Sequence, residues 1–154
     1  MNYIVRKATL EDLPILLDFE QRLIEAERPM DPSIGEDPIS YYSISGFIKG
    51  NLSDVYVVEI KDEIVASGYA LIKGDRPYLK HSKIGYLGFM FVPKEHRGNG
   101  YNQLVLDALL AWCKQRSVIE IRLDVYAVNQ PALRAYEKAG FKKNMISMRL
   151  SLDS

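Results

Sequence analysis

The stretch "FVPKEHRGNGYNQLVLDALL", Phe91 to Leu110, passes from the end of one element into the start of another. Phe91 and Val92 close an apolar run, "KIGYLGFMFV". Pro93 cannot donate to a strand ladder and marks the exit. The last part reads as a buried helix, and Arg97-Gly98-Asn99-Gly100 stands between the two. The first N–H groups of a helix have no internal partners, and the helix dipole favours negative charge there. A strand, a glycine turn and a helix mouth together therefore make an anion site. Gly98 and Gly100 remove side chains so that a phosphate can approach, and Arg97 adds a fixed charge with donors suited to phosphate. A tight turn with a solvated arginine is the plainer alternative.

Composition bounds the function. The 154 residues are enough for one domain with one sizeable core, 1–154, and 47% apolar with 26% charged residues is ordinary for a soluble globular protein. Lys plus Arg equals Asp plus Glu, at 20 each, so no basic excess points to nucleic acid. No run of about 18 apolar residues suggests a membrane span. The opening "MNYIVRKATLEDLP" lacks the apolar region of a signal peptide. The single cysteine, Cys113, lies in an apolar helical stretch and reads as a small core residue. A cytoplasmic location is the expectation.

The rest of the chain alternates. "YIVRKAT" predicts a first strand, and "LEDLPILLDFEQRLIEAE" a helix begun by Thr9 with Asp12, or by Asp12 with Pro14. A Pro- and Asp-rich loop follows, then "ISYYSISGFIKG", a short helix weakened by Gly46. "DVYVVEI" and "EIVASGYALIK" flank Lys61-Asp62 as a hairpin. After the helix that ends near Arg116, "VIEIRLDVYA" predicts a strand, with Glu120, Arg122, Asp124 and Tyr126 on one face. "NQPALRAYEKAGF" predicts a helix with Asn129 as cap, Pro131 in the first turn and Gly140 as the stop. "NMISMRLSL" predicts the last strand or strands. The order implies an α/β (α+β) fold with a mixed sheet in a single domain.

Spacing narrows the ligand of the glycine turn. A nucleoside-triphosphate loop needs a Lys-Ser/Thr pair that is missing here. A dinucleotide fingerprint needs a third glycine, also missing, although Asp124 does lie on a following strand. The pyrophosphate of coenzyme A remains. At this point the motifs carry a resemblance. "VPKEHRGNGYNQLVLDALL" resembles motif A of the GNAT superfamily of N-acetyltransferases, a strand leading through Q/R-x-x-G-x-G/A into a helix. "NQPALRAYEKAGF" resembles motif B, where an Asn opens a helix, a Tyr follows seven residues later and a Gly-Phe closes it. Order and spacing match over nearly the whole chain. One departure is Asn102, where the family prefers Gly or Ala; its side chain could crowd the pyrophosphate or donate to it.

The resemblance implies a GNAT-like, mostly antiparallel sheet flanked by about four helices, and acetyl transfer from acetyl-CoA to a primary amine by direct attack. It places the pyrophosphate at Arg97, Gly98, Asn99, Gly100, Tyr101 and Asn102. It places the pantetheine arm along the backbone of Phe89, Met90 and Phe91, with one amide facing the developing oxyanion. It makes Tyr136 the general acid for the thiolate. At ordinary pKa values near 10 and 8.5 that transfer is uphill by about 2 kcal/mol, small beside the whole barrier. Asp124 takes the place of a family carboxylate that accepts the amine's proton through water. It reads equally as a strand acid paired with Arg122 or Arg134. Asn129 can cap its helix and still donate its amide to the cofactor arm. His81 and His96 stand at no metal-ligand spacing, so no metal is expected.

The acceptor is less defined. Glu20, Glu25, Glu27, Asp31, Glu36 and Asp37, against only Arg22 and Arg28, make an acidic segment that could draw a cationic amine, small molecule or peptide. Tyr41 and Tyr42 could line the same pocket or simply pack. The last strands could pair across a homodimer. Neither a nucleic acid nor a membrane partner is implied. Two other functions compete: a non-catalytic acyl-CoA-binding sensor of the same fold, and a nucleotide-binding protein that uses the same turn.

Overall fold

The computed structural model describes residues 2–153. The chain falls into two compact units, one running through Asp124 and one from Val125 onward. The first holds a five-stranded sheet of order β1-β2-β3-β4-β5: β1 Ile4–Lys7, β2 Ser53–Ile60, β3 Glu63–Gly74, β4 Lys83–Phe91 and β5 Ile121–Leu123. Pairs are antiparallel as far as β4, and β4 with β5 is parallel. Helices α1 Leu13–Glu27, α2 Ile44–Lys49 and α3 Tyr101–Gln115 belong to the same unit, and α4 Gln130–Lys138 to the second. This is the mixed, mostly antiparallel sheet with four helices that the sequence implies. Among the described residues no helix is long and apolar enough to cross a membrane.

Local chemistry explains the joints. The Lys61-Asp62 turn has φ of 49° and 65°, the left-handed pair that a two-residue hairpin loop needs to match strand twist. Before α1, the Thr9 amide donates to Asp12 Oδ2 at 2.8 Å across a 3-10 turn, Leu10–Asp12. Pro14 then sits in the first turn of α1. The two helix starts that the sequence allows occur in series.

Side-chain size decides what lies on each face of the sheet. A Cβ on Gly68 would stand 2.7 Å from Val105 Cγ1 and 3.1 Å from Leu109 Cδ1, and one on Gly85 2.7 Å from Cys113 Sγ. Those two glycines let α3 lie close on one face. Tyr101, Val105, Leu106, Leu109, Trp112 and Cys113 are buried there. Each large apolar side chain so buried contributes about 1.5–3 kcal/mol. Cys113 is the core residue expected, and burial pushes its thiol up. On the other face Leu16, Phe19 and Ile44 of α1 and α2 pack with Val55, Val57, Tyr69, Phe89 and Phe91.

Three expected elements are shorter than the sequence suggests, or absent. Residues 39–43 are not helical, because the Tyr41 and Tyr42 amides both donate to Glu20 Oε2 at 2.8 Å and α2 begins only at Ile44. β5 covers three residues of the expected ten-residue stretch. It pairs with Gly85, Tyr86 and Leu87, and the ladder stops where β4 distorts at Phe89. The tail "NMISMRLSL" forms no strand among the described residues. Met145, Ile146, Met148, Leu150 and Leu152 are between 75% and 93% exposed. Alternation marks a potential strand face, but a strand also needs a neighbour for its backbone groups, and none pairs here.

Candidate active site

Glycine sets the backbone at the mouth of α3. Gly98 and Gly100 have φ of 82° and 80°, a region costly to side-chain-bearing residues. Nothing lies within 4 Å of where a Cβ would stand on either. Conformation rather than crowding therefore requires these glycines, and the turn faces open space. Gly100 is the N-cap of α3 and brings no side chain to cap it. Arg97 Nε donates to Val92 O at 3.0 Å, holding the guanidinium beside the turn. Asn99 Nδ2 donates to His96 O at 3.0 Å, and His96 Nε2 lies 2.8 Å from Glu63 Oε2. Tyr101 is buried and Asn102 half-buried. This donor-rich, glycine-lined and cationic mouth fits a pyrophosphate. Among the described residues no group of three or more His, Cys, Asp or Glu could hold a metal.

The strand leading into the turn is split from its neighbour. β5 pairs only as far as Leu87, so Gly88 to Phe91 have no β5 partner. On the β3 side, Tyr69 pairs Gly88 and Ser67 pairs Phe91, so two residues of β4 stand against one of β3. That is a bulge, and Phe89 takes φ of 55° in it. Ser67 Oγ donates to Phe89 O at 3.1 Å and pins the distorted carbonyl. Gly88 and Phe89 then share a face: a Cβ on Gly88 would meet Tyr69, and the Phe89 ring lies 5.5 Å from that of Tyr42. Met90 points to the α3 face, its sulfur against Gly68.

Asp124, just past β5, is exposed and its Oδ2 accepts a bond of 2.9 Å from the Tyr86 phenol. Arg122 is engaged elsewhere, at 2.9 and 2.7 Å from Asp75 and 3.2 Å from Glu120. Burial, then the Asp124 charge, pushes Tyr69 up to about 12 and Tyr86 higher. Burial, then neighbouring Tyr69 and Glu27, also raises Tyr42. All three phenols keep their protons at neutral pH.

The acidic segment is mostly bound internally. Glu20 is buried and holds the Tyr41 and Tyr42 amides. Glu25 and Asp37 grip Arg28 at 2.9 and 2.8 Å. Asp31 accepts from the Ser33 amide at 2.9 Å, and Arg22 reaches Glu95 at 3.1 Å. Burial pushes the Glu27 carboxyl up, opposed by the Tyr41 phenol.

In the second unit Asn129 Oδ1 accepts the Ala132 amide at 3.3 Å and Pro131 follows in the first turn, as the sequence predicts. Gly140, at φ 108°, ends α4 and folds the chain back. The Phe141 amide donates to Tyr136 O at 3.0 Å, and the two rings meet edge-on at 5.9 Å. The Asn of the motif thus caps this short helix, the Tyr lies within it, and the Gly-Phe closes it back onto the Tyr. The sequence does not point to Ser67, Tyr69, Tyr86 or Gly88, and it presents Glu20 as surface charge. "LGFMF" offers one signal, a glycine beside a phenylalanine in the middle of a strand.

The acetyltransferase (GNAT) family model matches residues 20–141. The chain belongs to the GNAT family. That family is one of acetyltransferases. Among solved structures, a tetramutant of the BH1408 protein from Bacillus halodurans is 25% identical, with 97% of this chain and 99% of that one covered and a TM-score of 0.84. A predicted acetyltransferase from Clostridium acetobutylicum, solved with acetyl-CoA, shares the fold at 23% identity, with 98% and 97% covered and a TM-score of 0.74. N-alpha-acetyltransferase 60 of Drosophila melanogaster is 38% identical over 65 residues, which are 40% of this chain and 24% of that protein. The GNAT chain thus spans about a quarter of that relative's length.

Proposed function

We propose that the chain is an N-acetyltransferase that moves an acetyl group from acetyl-CoA to a primary amine, with residues 1–154 acting as one acetyltransferase domain. The observation that carries this reading is the open mouth of α3, where Gly98 and Gly100 leave helix amides uncapped beside Arg97. The pyrophosphate is held by backbone N–H groups from Gly98 to Asn102 and by the Arg97 guanidinium. The pantetheine arm, which resembles a peptide, pairs with the β4 edge at Phe89, Met90 and Phe91, where β5 has ended. An amide of this bulged segment faces the oxyanion. Asn129 Nδ2 donates to the same arm while its Oδ1 caps α4.

The ammonium of the acceptor gives a proton to Asp124, directly or through water. The nitrogen then forms a bond to the acetyl carbonyl carbon, and the carbon–sulfur bond breaks. The departing thiolate takes a proton from the Tyr136 phenol, the nitrogen's second proton passes back to the tyrosinate, and Asp124 releases the first to solvent. The products are an N-acetyl amide, free coenzyme A thiol and one proton released to solvent. Retention of both a carboxylate and a phenol at the motif positions favours turnover over a sensor that only binds acyl-CoA. The acceptor can be a small amine or a protein amine, and the N-terminal acetyltransferase relative favours testing peptide amines first.

Free-thiol release from acetyl-CoA, screened over amino acids, polyamines, aminoglycosides and peptide N-termini, tests the reading. Tyr136→Phe removes one hydroxyl and keeps the ring against Phe141. Its turnover is expected to fall about 100- to 10,000-fold with cofactor affinity unchanged. Near wild-type turnover would return Tyr136 to packing. No thiol release by the wild type with any amine would sink the enzyme reading.

A further inference from the structure

Four aromatic residues with three phenols gather on the α1–α2 face of the sheet, beside the β4 bulge. The Tyr69 ring lies 5.3 Å from that of Tyr42 and 4.4 Å from that of Phe47. Phenylalanine would pack as well in such a cluster, and a buried hydroxyl costs free energy unless it finds a partner. Two of the three phenols have a polar partner for their oxygen. That of Tyr86 donates to Asp124 Oδ2, and that of Tyr42 meets the backbone amide of Phe89. That of Tyr69 lies over Gly88, where a Cβ would come within 2.6 Å of it. Gly88 therefore keeps the floor beneath the Tyr69 hydroxyl flat, one residue before the bulge.

Charge follows the same layout. Asp124 is the carboxylate felt by both Tyr69 and Tyr86. Of the nearby cations, Arg122 is held by Asp75 and Glu120, and Lys73 Nζ stands over the Tyr86 ring at 4.3 Å from its centroid. The acids of the α1–α2 segment are largely bonded internally.

We propose that Tyr69, Tyr86 and Asp124 form the acceptor seat, and that it takes a primary alkylammonium. A primary ammonium carries three N–H donors. The Tyr69 oxygen, the Tyr86 oxygen and the second Asp124 oxygen supply three acceptors. Tyr86 acts as a positioning residue as well: its hydrogen bond fixes one carboxylate oxygen and leaves the other to take the proton. Tyr42 and Phe47 wall the seat with ring faces suited to an alkyl stem. This inference rests on the acetyl-transfer reading for its catalytic part only.

Propylamine is a sufficient probe, with N,N-dimethylpropylamine as the tertiary counterpart. With coenzyme A bound, propylammonium is expected to shift the ring NMR signals of Tyr69 and Tyr86, assigned through Tyr69→Phe and Tyr86→Phe. The tertiary ammonium is expected to shift them far less. Each variant is expected to lower kcat/KM for propylamine about tenfold or more, the loss of a hydrogen bond to a charged group, with the KM for acetyl-CoA unchanged. Tyr86→Phe acts on kcat and Tyr69→Phe mainly on the amine KM. Shifts without thiol release by the wild type would keep the seat and remove the enzyme reading. Absence of the shifts, or wild-type kcat/KM in both variants, would overturn the seat.

Discussion

The starts of α3 and α4 solve one problem in opposite ways. Every helix begins with N–H groups that lack internal acceptors. In α4, Asn129 fills one of these vacancies with its own side chain and Pro131 removes another donor. In α3 the cap is a glycine, which has no side chain to close the helix, and Asn102 and Gln103 each carry an N–H. The α4 start is capped by its own side chain, whereas the α3 start, on the proposed reading, meets the cofactor. A helix start that a sequence could easily close but leaves open, beside an arginine, is a binding device rather than a stability device.

The largest expected effect comes from reversing the charge at the open mouth. Arg97→Glu sets a carboxylate at the proposed pyrophosphate site and removes the charge-assisted contact proposed for Arg97. Coenzyme A affinity, read by calorimetry, should fall about 100-fold, as the loss of about 3 kcal/mol implies. Arg97 is exposed and its Nε bond to Val92 O is local to the turn, so the melting temperature should hold. Unchanged affinity would remove the contrast between the two mouths.

The same comparison separates what local sequence encodes from what distant partners impose. Both helix starts are legible in the sequence, because caps, prolines and glycines act through neighbours along the chain. So is the Lys61-Asp62 hairpin, which follows from two residues in the left-handed region. Features set by partners far along the chain are hidden. Phe89 at φ 55° is a bulge imposed by pairing with β3, and no local rule expects a phenylalanine there. The Tyr86–Asp124 bond spans 38 residues. Glu20 looks like surface charge, yet it is buried because two backbone amides from the next loop complete it. The tail alternates like a strand, but strand formation depends on a neighbour that alternation does not name.

A smaller effect separates two uses of Asn129. Asn129→Asp keeps an oxygen for the Ala132 amide and adds charge favourable at a helix start, so stability should change by less than about 0.5 kcal/mol. It removes the amide donors proposed to reach the cofactor arm. Coenzyme A affinity should fall, by about tenfold at most, for a lost hydrogen bond of about 1 kcal/mol. Equal affinities for the two proteins would leave Asn129 as a cap alone, with α4 closed in full.

The start of α1, unlike that of α3, carries its own anion. Asp12 accepts from the Thr9 amide at 2.8 Å and from Arg6 at 2.8 and 3.0 Å, and Arg6 also reaches Glu59 at 2.9 Å. The Arg6 hydrogen bonds hold the Asp12 carboxyl below its ordinary value against the opposing effect of burial. A carboxylate depressed in the folded state adds stability above its unfolded pKa, near 3.9, and loses it as pH falls through the folded value. Asp12→Asn keeps the shape and cannot ionise. It should cost about 1–2 kcal/mol at pH 7, the scale of a hydrogen bond to a charged group. The gap in melting temperature between variant and wild type should narrow below about pH 4 and close in stronger acid. Coenzyme A affinity should not move, because this mouth is already filled from within. Melting temperatures that keep the same gap from pH 7 down to about pH 2 would show that Asp12 acts there by shape and not by charge.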